Sequence, residues 1–281
     1  GESGTGKELI ARAIHQESAR AERPFVAVNC GGIPETLMES ELFGHKKGAF
    51  TGATTDKKGL FEAAHKGTLF LDEIGEISVP IQVKLLRAVQ TKTVRPVGGN
   101  EDVCVDVRII SATNRNLEEE VIARRFREDL FYRLNVIEIK VPPLRERSDD
   151  VMILMNHFLA KFSKEMHREI PEFTDSALMA IRSHSWPGNV RELENLVQRL
   201  MVVVDSGRID VADLPPALRG QIPAKTWRAR PLAEVEAEHI DNVLAEVDGN
   251  KTRAAEILGI DRKTLRLKLK RAGRLENPPE E

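Results

Sequence analysis

The chain of 281 residues has only two cysteines, Cys30 and Cys104, far apart and outside any CxxC or Cys/His cluster. That disfavours both a disulfide framework and a zinc site and favours a reducing compartment. Aromatic residues make up 5% of the chain, too few for a base-stacking platform. Unbroken apolar runs reach five residues, as at 200–204. A membrane helix needs about 18, so no membrane partner is expected. Neither sign of charge dominates: 42 Lys+Arg against 44 Asp+Glu leave -2, which speaks against a wholly basic nucleic-acid coat and against an acidic solvating tail. There is no initiating methionine and no signal-peptide pattern, and the chain opens inside a motif, so it reads as a fragment of a longer protein. What is present, 41% hydrophobic and 31% charged residues, is a globular composition of a length that suits two domains and a small third.

Residues 1–141 alternate helical patterns, such as 8–18, with short β-rich runs at 25–28, 68–71, 105–112 and 136–141. Short apolar strands set between helices predict a parallel α/β sheet. Pro142 and Pro143 punctuate its end, and residues 142–219 read as helical throughout, interrupted at Trp186-Pro187-Gly188-Asn189. Residues 220–231 look like a linker, 232–273 a compact helical domain, and 274–281 a disordered tail.

Gly1-Glu2-Ser3-Gly4-Thr5-Gly6-Lys7 fits GxxxxGK, with an amphipathic helix after it whose apolar face is expected at Leu9, Ile10, Ala13 and Ile14. Glycines let backbone N–H groups turn inward around phosphates, the helix N-terminus adds partial positive charge, and Lys7 reaches the β/γ-phosphates. The next position, where Ser or Thr would hold Mg²⁺, is Glu8. A G-x-S-x-G nucleophile elbow fails because position 5 is Thr. Sixty-five residues beyond Lys7, the run Gly67-Thr68-Leu69-Phe70-Leu71 ends in Asp72 and Glu73. Acids at the carboxyl edge of a buried strand suit a P-loop ATPase: Asp72 can hold Mg²⁺ through water, and Glu73 can polarise the attacking water. Two more strands end in amides at the same edge, at Asn29 and at Thr113-Asn114, which could orient that water, sense the γ-phosphate or simply serve as turn residues.

Gly48-Ala49-Phe50-Thr51-Gly52-Ala53, within ESELFGHKKGAFTGA, resembles the signature loop of sigma-54-dependent transcriptional activators, the bacterial enhancer-binding proteins of the AAA+ superfamily. The resemblance covers about the first 215 residues, with GESGTGKE, GTLFLDEIGE, DVRIISATNRNL, FREDLFYRLNV, PPLRERSDD and WPGNVRELEN, and Glu8 matches this family's own P-loop. It implies an AAA+ parallel-sheet core lacking its first strand here, a helical lid, and a bacterial cytoplasmic ring ATPase, usually hexameric, with ATP and Mg²⁺ between subunits. Lys7, Asp72 and Glu73 take the Walker roles, and Asn29 resembles the residue coupling Glu73 to nucleotide state. Asn114 lies in the first sensor, and Arg191 resembles the second. Arg127 and Arg133 resemble arginine fingers offered to a neighbour's γ-phosphate. A permanently charged guanidinium suits that role. The alternative for each arginine is a surface ion pair, given Glu128 and Asp129 beside Arg127 and Glu192 beside Arg191.

On its own terms the GAFTGA segment is a permissive loop carrying one large apolar side chain, either a partner-facing tip or a residue tucked into the core. The resemblance makes its partner the sigma-54 subunit of RNA polymerase holoenzyme, and makes residues 94–103 a companion hairpin or loop.

The last domain reads as helix-turn-helix: one helix at 232–247, a second at 251–258, a turn at Gly259-Ile260-Asp261 and a third at 262–271. Residues 232–248 hold six acids and no Lys or Arg, whereas 249–273 hold eight Lys/Arg against two acids, a local +6. Such a basic stripe is the footprint of a double-stranded DNA reader. Arg262, Lys263, Thr264 and Arg266 start the third helix, where base edges are read, with Lys251, Thr252 and Lys270 beside them. Ala254, Ala255, Ile257, Leu258, Leu265, Leu267 and Leu269 are expected to pack. GNKTRAAEILGIDRKTLRLKLK resembles the Fis-type DNA-binding domain appended to these activators, normally dimeric. The reading is then an ATP-hydrolysing activator bound to upstream DNA that remodels closed polymerase. The alternatives are a DNA-binding regulator using nucleotide only as an assembly signal, and a helicase-type AAA+ motor; neither needs the GAFTGA loop.

Overall fold

Three short apolar runs, none able to bury itself alone, pair side by side in the computed structural model. It describes residues 1–204, 207–219, 236–237, 239–241, 243–244, 247 and 250–271. The expected linker at 220–231 and tail at 274–281 lie outside these residues, as does much of the helix expected at 232–247. The chain divides into two units, Gly1–Gln221 and Ile222–Glu281.

In chain order the first unit runs α1 (Lys7–Gln16), β1 (Phe25–Asn29), α2 (Glu35–Phe43), α3 (Leu60–Ala63), β2 (Thr68–Asp72), α4 (Val79–Thr91), β3 (Thr93–Val94), β4 (Val103–Cys104), β5 (Arg108–Ser111), α5 (Leu117–Ile122), α6 (Glu128–Leu134), α7 (Ser148–Met166), β6 (Glu172–Phe173), α8 (Asp175–Ser183), α9 (Asn189–Val203), β7 (Arg208–Ile209) and α10 (Pro216–Arg219). Strands β1, β2 and β5 form a parallel sheet in that order. Leu69, Phe70 and Leu71 are buried, as the middle strand of a covered sheet must be. The register pairs Asn29 with Asp72, which brings both polar strand ends to one edge.

Two expectations about this sheet change. Residues 136–141 do not join it: Val136, Ile137 and Ile139 are 77%, 83% and 58% exposed. A strand exists through its ladder, and no described strand pairs with this run despite its β-branched composition. The buried positions of α1 are Ala11 and His15, flanked by Ile10 and Ile14, while Leu9 is 71% exposed. The helix is rotated from the expected face because His15 turns inward, where its Nδ1 meets the Thr68 hydroxyl at 2.9 Å.

One core packs α2, α3, α4 and α6 on the sheet; a second joins α7, α8, α9 and α10 around Trp186 and Leu193. The helical region also holds a strand pair the sequence did not announce, β6 parallel to β7, at two residues each too short for a periodic signal. Between α8 and α9, Trp186 and Asn189 adopt positive φ, which ends one helix and re-aims the next.

In the second unit, α11 (Lys251–Ile257) and α12 (Arg262–Arg271) pack through Ala254, Ala255, Leu265 and Leu269 with Ile240 and Val243. Ile257 and Leu267, expected to pack, are 56% and 53% exposed, because the small Ala254 and Ala255 let the helices meet on a narrower stripe.

Candidate functional site

Each half of the candidate nucleotide site is built by local backbone chemistry. Gly4 and Gly6 sit at φ 76° and 94°, where L side chains are strained, so this loop can curl only with glycine at those places. Gly6 leads directly into α1. The Thr5 side chain is buried and donates to the Glu2 carbonyl at 2.9 Å, bracing the curl. Lys7 Nζ donates to the Gly1 and Glu2 carbonyls, both at 2.9 Å. Burial, first, and Arg191 push the Lys7 ammonium below its ordinary pKa, against the pull of Asp72 and Glu73. The loop, both acids and Arg191 therefore share one electrostatic neighbourhood.

At the end of β2 the chain turns sharply. Glu73 takes a left-handed conformation, φ 54° and ψ 42°, uncommon for a non-glycine residue, and the next amide, Ile74 N–H, bonds Ala112 of the neighbouring strand end at 3.0 Å. The Glu73 N–H donates to Asp72 Oδ1 at 3.0 Å. A Cβ at Gly31 would overlap the Glu73 carboxylate, so Gly31 is needed for Glu73 to sit there. Asn29 spends its amide oxygen on the Gly31 and Gly32 N–H groups, at 2.8 and 3.2 Å. Cys30, buried beside these acids, has its thiol pushed up to about 12, by burial first and then by Asp72 and Glu73, so it is inert there. Asn114 is exposed just beyond β5; the Thr113 carbonyl accepts from the Gly1 nitrogen at 3.2 Å.

The lid meets the phosphate loop directly. Arg191 Nη1 lies 3.2 Å from Ser3 Oγ, and the N–H groups of Val190 and Arg191 point to the Gly4 carbonyl at 2.9 and 3.3 Å. Glu192 goes instead to His184 and to the Gly188 N–H, so the ion-pair alternative does not hold for Arg191. Glu8 departs from the cradle: its carboxylate pairs with Arg12 one turn along α1 at 2.7 Å, leaving only its backbone near the loop.

Arg127 stands at the N-cap of α6 and Arg133 in its last turn, and no hydrogen bond or ion pair among the described residues joins either to the phosphate loop. Arg127 is paired with Asp129 at 2.6 Å, so the ion-pair alternative holds for it within the single chain. Arg133 is exposed, with no ion-pair partner among the described residues. An open recess of about 480 Å³, lined by Val79, Ile122, Arg124 and Arg127 among others, flanks the first arginine. Sequence reasoning missed Gln82 here. Fully buried on α4, it accepts from the Arg127 N–H at 2.8 Å and donates to Ile77 and Arg125, each at 2.9 Å. A glutamine inside an amphipathic helix gives no sequence signal of that role. Nor was a role seen for Arg145, Arg147 and Asn189, which reach the phosphate loop from the lid.

The GAFTGA loop projects from the sheet domain. Phe50 is 38% exposed, and its ring meets His45 edge-on at 5.0 Å, so it does not belong to the core. Gly48 and Gly52 have positive φ with open space around them, Thr51 is exposed, and only Ala53 is buried. The β3–β4 hairpin tip packs against Ala49 through Gly98, so the companion hairpin expected at 94–103 stands beside the loop.

In the second unit, Asn250 caps α11 by accepting from Thr252 and Arg253 N–H, and Gly259 at φ 65° makes the turn. Asp261 caps α12: it accepts from Lys263 and Thr264 N–H, and from the Thr264 hydroxyl at 2.6 Å. Thr264 is thereby committed to the cap, whereas Arg262, Lys263 and Arg266 are exposed on the first turns of α12. On α11, Thr252 is exposed and Lys251 half-buried; Lys270 lies on α12, and its side chain is outside the described residues.

A fit for nucleotide follows from these features: a cradle closed to side chains at Gly4, a partly buried ammonium beside two acids, and a guanidinium across the loop. Among the described residues no group of three His, Cys, Asp or Glu could hold a metal alone. Asp72 suits Mg²⁺, which binds through one or two carboxylates together with substrate phosphates and water. No helix among the described residues is long and apolar enough to cross a membrane.

Comparison with known proteins agrees with this arrangement. Residues 1–140 match the family described as "Sigma-54 interaction domain", 145–230 the "AAA+ ATPase lid domain", and 231–271 the "Bacterial regulatory protein, Fis family". The chain is 50% identical to Regulatory protein AtoC of Escherichia coli K12 over 97% of its own length and 61% of that protein's. It is 52% identical to Transcriptional regulatory protein ZraR of the same strain, over 96% and 62%. Among solved structures, NtrX from Brucella abortus in complex with ADP superposes with a TM-score of 0.73 at 37% identity, covering 97% of this chain and 63% of that one. The ATP complex of NtrX gives 0.72 at 37% identity, over 97% and 62%. The chain thus spans about three fifths of the length of these relatives. With all three family patterns in sequence, the GAFTGA loop exposed beside a P-loop core, and a basic helix-turn-helix after the lid, the chain belongs to the sigma-54-dependent transcriptional activators of the AAA+ superfamily.

Proposed function

We propose that this chain hydrolyses ATP and spends the energy on remodelling sigma-54 RNA polymerase holoenzyme into an open complex, while its helix-turn-helix holds upstream double-stranded DNA. The observation that carries the reading is the glycine-built phosphate loop leading into α1, with Arg191 Nη1 3.2 Å from its Ser3 Oγ. In this reading 1–141 is the α/β ATPase subdomain, 142–219 the lid, 220–231 a linker and 232–273 the DNA-binding domain, at work in the bacterial cytoplasm.

The turns of Gly1–Lys7 hold the phosphates, with Lys7 leaving the Gly1 and Glu2 carbonyls for the β/γ-oxygens. Asp72 holds Mg²⁺, which supplies neutralisation of charge on the phosphate oxygens. Glu73 takes a proton from the water that attacks the γ-phosphorus as the bond to the ADP oxygen breaks. Asn29 orients Glu73, Asn114 senses the γ-phosphate from the neighbouring strand end, and Arg191 follows the same phosphate from the lid. Arg127 and Arg133, neither bonded to its own phosphate loop among the described residues, serve a neighbouring subunit in a ring, which the family resemblance makes a hexamer with paired DNA-binding domains. In such a ring Arg127 exchanges Asp129 for the neighbour's phosphate.

The exposed Phe50 favours polymerase remodelling over a nucleotide-gated DNA binder, which has no use for an apolar tip. The test is Glu73→Gln in the full-length protein. ATP-Mg²⁺ binding is expected to survive while turnover falls at least about a hundredfold. Turnover near the wild-type rate would remove Glu73 from the role of base.

A further inference from the structure

The second residue of the phosphate loop does not serve the phosphates with its side chain. Glu2 is gripped by Arg145 in a two-pronged fork, Nη1 to Oε2 at 2.9 Å and Nη2 to Oε1 at 2.7 Å. Asn189 adds a third donor, Nδ2 to Glu2 Oε2 at 3.1 Å, and the same NH₂ reaches the Ser3 carbonyl at 3.0 Å. Both donors stand on the lid side, Arg145 just before α7 and Asn189 at the start of α9. Asn189 is fully buried at φ 51°, a conformation asparagine tolerates better than most residues, and its Oδ1 accepts the Leu144 N–H at 2.8 Å. It thus ties the Arg145 segment, the start of α9 and the phosphate loop at one point.

The neighbouring contacts have the same direction. Arg147 Nη2 donates to the Thr5 carbonyl at 3.1 Å, and Val190 N–H to the Gly4 carbonyl at 2.9 Å. A Cβ at Gly4 would overlap the Gly188 carbonyl, so the two backbones touch. An isolated fork on half-exposed side chains would contribute little. This one shares its carboxylate with a buried amide that also donates to the Ser3 carbonyl of the same loop, and bidentate geometry adds direction.

We propose that Glu2 is a lid latch: a positioning residue that, through Arg145 and Asn189, holds the lid on the phosphate loop and so sets Arg191 over Ser3. The latch makes the curl of the loop and the seat of the lid one variable. Lys7 connects to it as well, since its ammonium rests on the carbonyl of Glu2. The effect on ATP affinity rests on the ATPase reading above; the latch itself does not.

The test uses the full-length protein and the single and double variants Glu2→Gln and Arg145→Gln. The first readout is hydrogen exchange without nucleotide at the Val190 and Arg191 amides, whose acceptor is the Gly4 carbonyl. Each single variant should speed exchange there by about fivefold, and leave the amides of β2 unchanged. Because both substitutions remove one fork, the double variant should match the singles to within about twofold, where independent effects would multiply. The second readout is the ATP KM, which should rise in parallel in all three variants. Unchanged exchange at Val190, multiplied effects in the double variant, or faster exchange spread into β2 would each overturn the latch. A wild-type protein that binds no ATP would overturn the ATPase reading instead, and the exchange data would still decide the latch.

Discussion

Replacing Phe50 with alanine separates a partner-facing tip from a structural residue. The molecule supplies its own scale. Phe43 and Phe61 are 2% and 1% exposed and stack at 5.7 Å inside the first core. Truncating a phenylalanine so placed costs about 3–5 kcal/mol. Phe50 is 38% exposed, between two glycines with open space around them, and its one aromatic contact is the edge-on meeting with His45. Such a pair is worth about 0.5–1.5 kcal/mol, so Phe50→Ala should cost about 1 kcal/mol. For a unit of this size that lowers Tm by about 2–4 °C, whereas Phe43→Ala should lower it by about 10 °C or more. Melting, ATP turnover and binding to sigma-54 holoenzyme are then measured on one preparation of each full-length variant. Phe50→Ala should melt near wild type, turn over ATP near wild type, bind its DNA normally, and fail both to engage sigma-54 and to open promoter DNA. A Phe50→Ala protein as destabilised as Phe43→Ala and without ATPase activity would refute the reasoning, and so would one that activates transcription normally.

If Arg127 and Arg133 act across a subunit boundary, Arg133→Ala and Lys7→Ala proteins, each inactive alone, should recover part of the ATPase activity when mixed, because some interfaces then pair an intact loop with an intact finger. Mixed rings, confirmed by sizing, that stay as inactive as their parents would count against action in trans. Arg262→Ala or Arg266→Ala should weaken operator binding by about 1–3 kcal/mol if a base contact is lost, and wild-type binding should fall steeply with salt; unchanged affinity in both variants would move the reading surface elsewhere. The Glu2 carboxyl is drawn from the ordinary 4.5 to about 2, first by Arg145 and then by Asn189. A carboxyl depressed on folding contributes stability that is complete above its ordinary pKa and fades as pH falls through the folded value. Exchange at Val190, corrected for intrinsic rate, should therefore hold steady from pH 7 to about pH 5 and quicken progressively as pH falls from 4.5 towards about 2, and a rate that stays flat through that range would show that Glu2 titrates as a free side chain.

The parts of this protein that depend on neighbours in sequence were open to reading without coordinates. The phosphate loop is a turn made by its own glycines, and β2 is an apolar run that announces its acids at its own end. The turn at Gly259-Ile260-Asp261 and the charge change between 232–248 and 249–273 are likewise local. What depended on partners distant in the chain was not. Residues 136–141 have a strand's composition, but a strand needs a ladder, and pairing is not written in one strand alone. Glu73 looks like any turn acid until Gly31, 42 positions earlier, makes room for its carboxylate. Arg127 and Arg191 carried the same ambiguity, each with an acid beside it, and the fold resolved them oppositely: Asp129 takes the first, while Glu192 turns to His184 and leaves the second for Ser3. Glu2, Asn189 and Gln82 look like ordinary polar residues because their partners lie 143, 187 and 45 residues away. A local motif carries its own geometry in its φ/ψ preferences and periodicity, whereas a hydrogen bond across the fold exists only once two cores have packed and closed the distance.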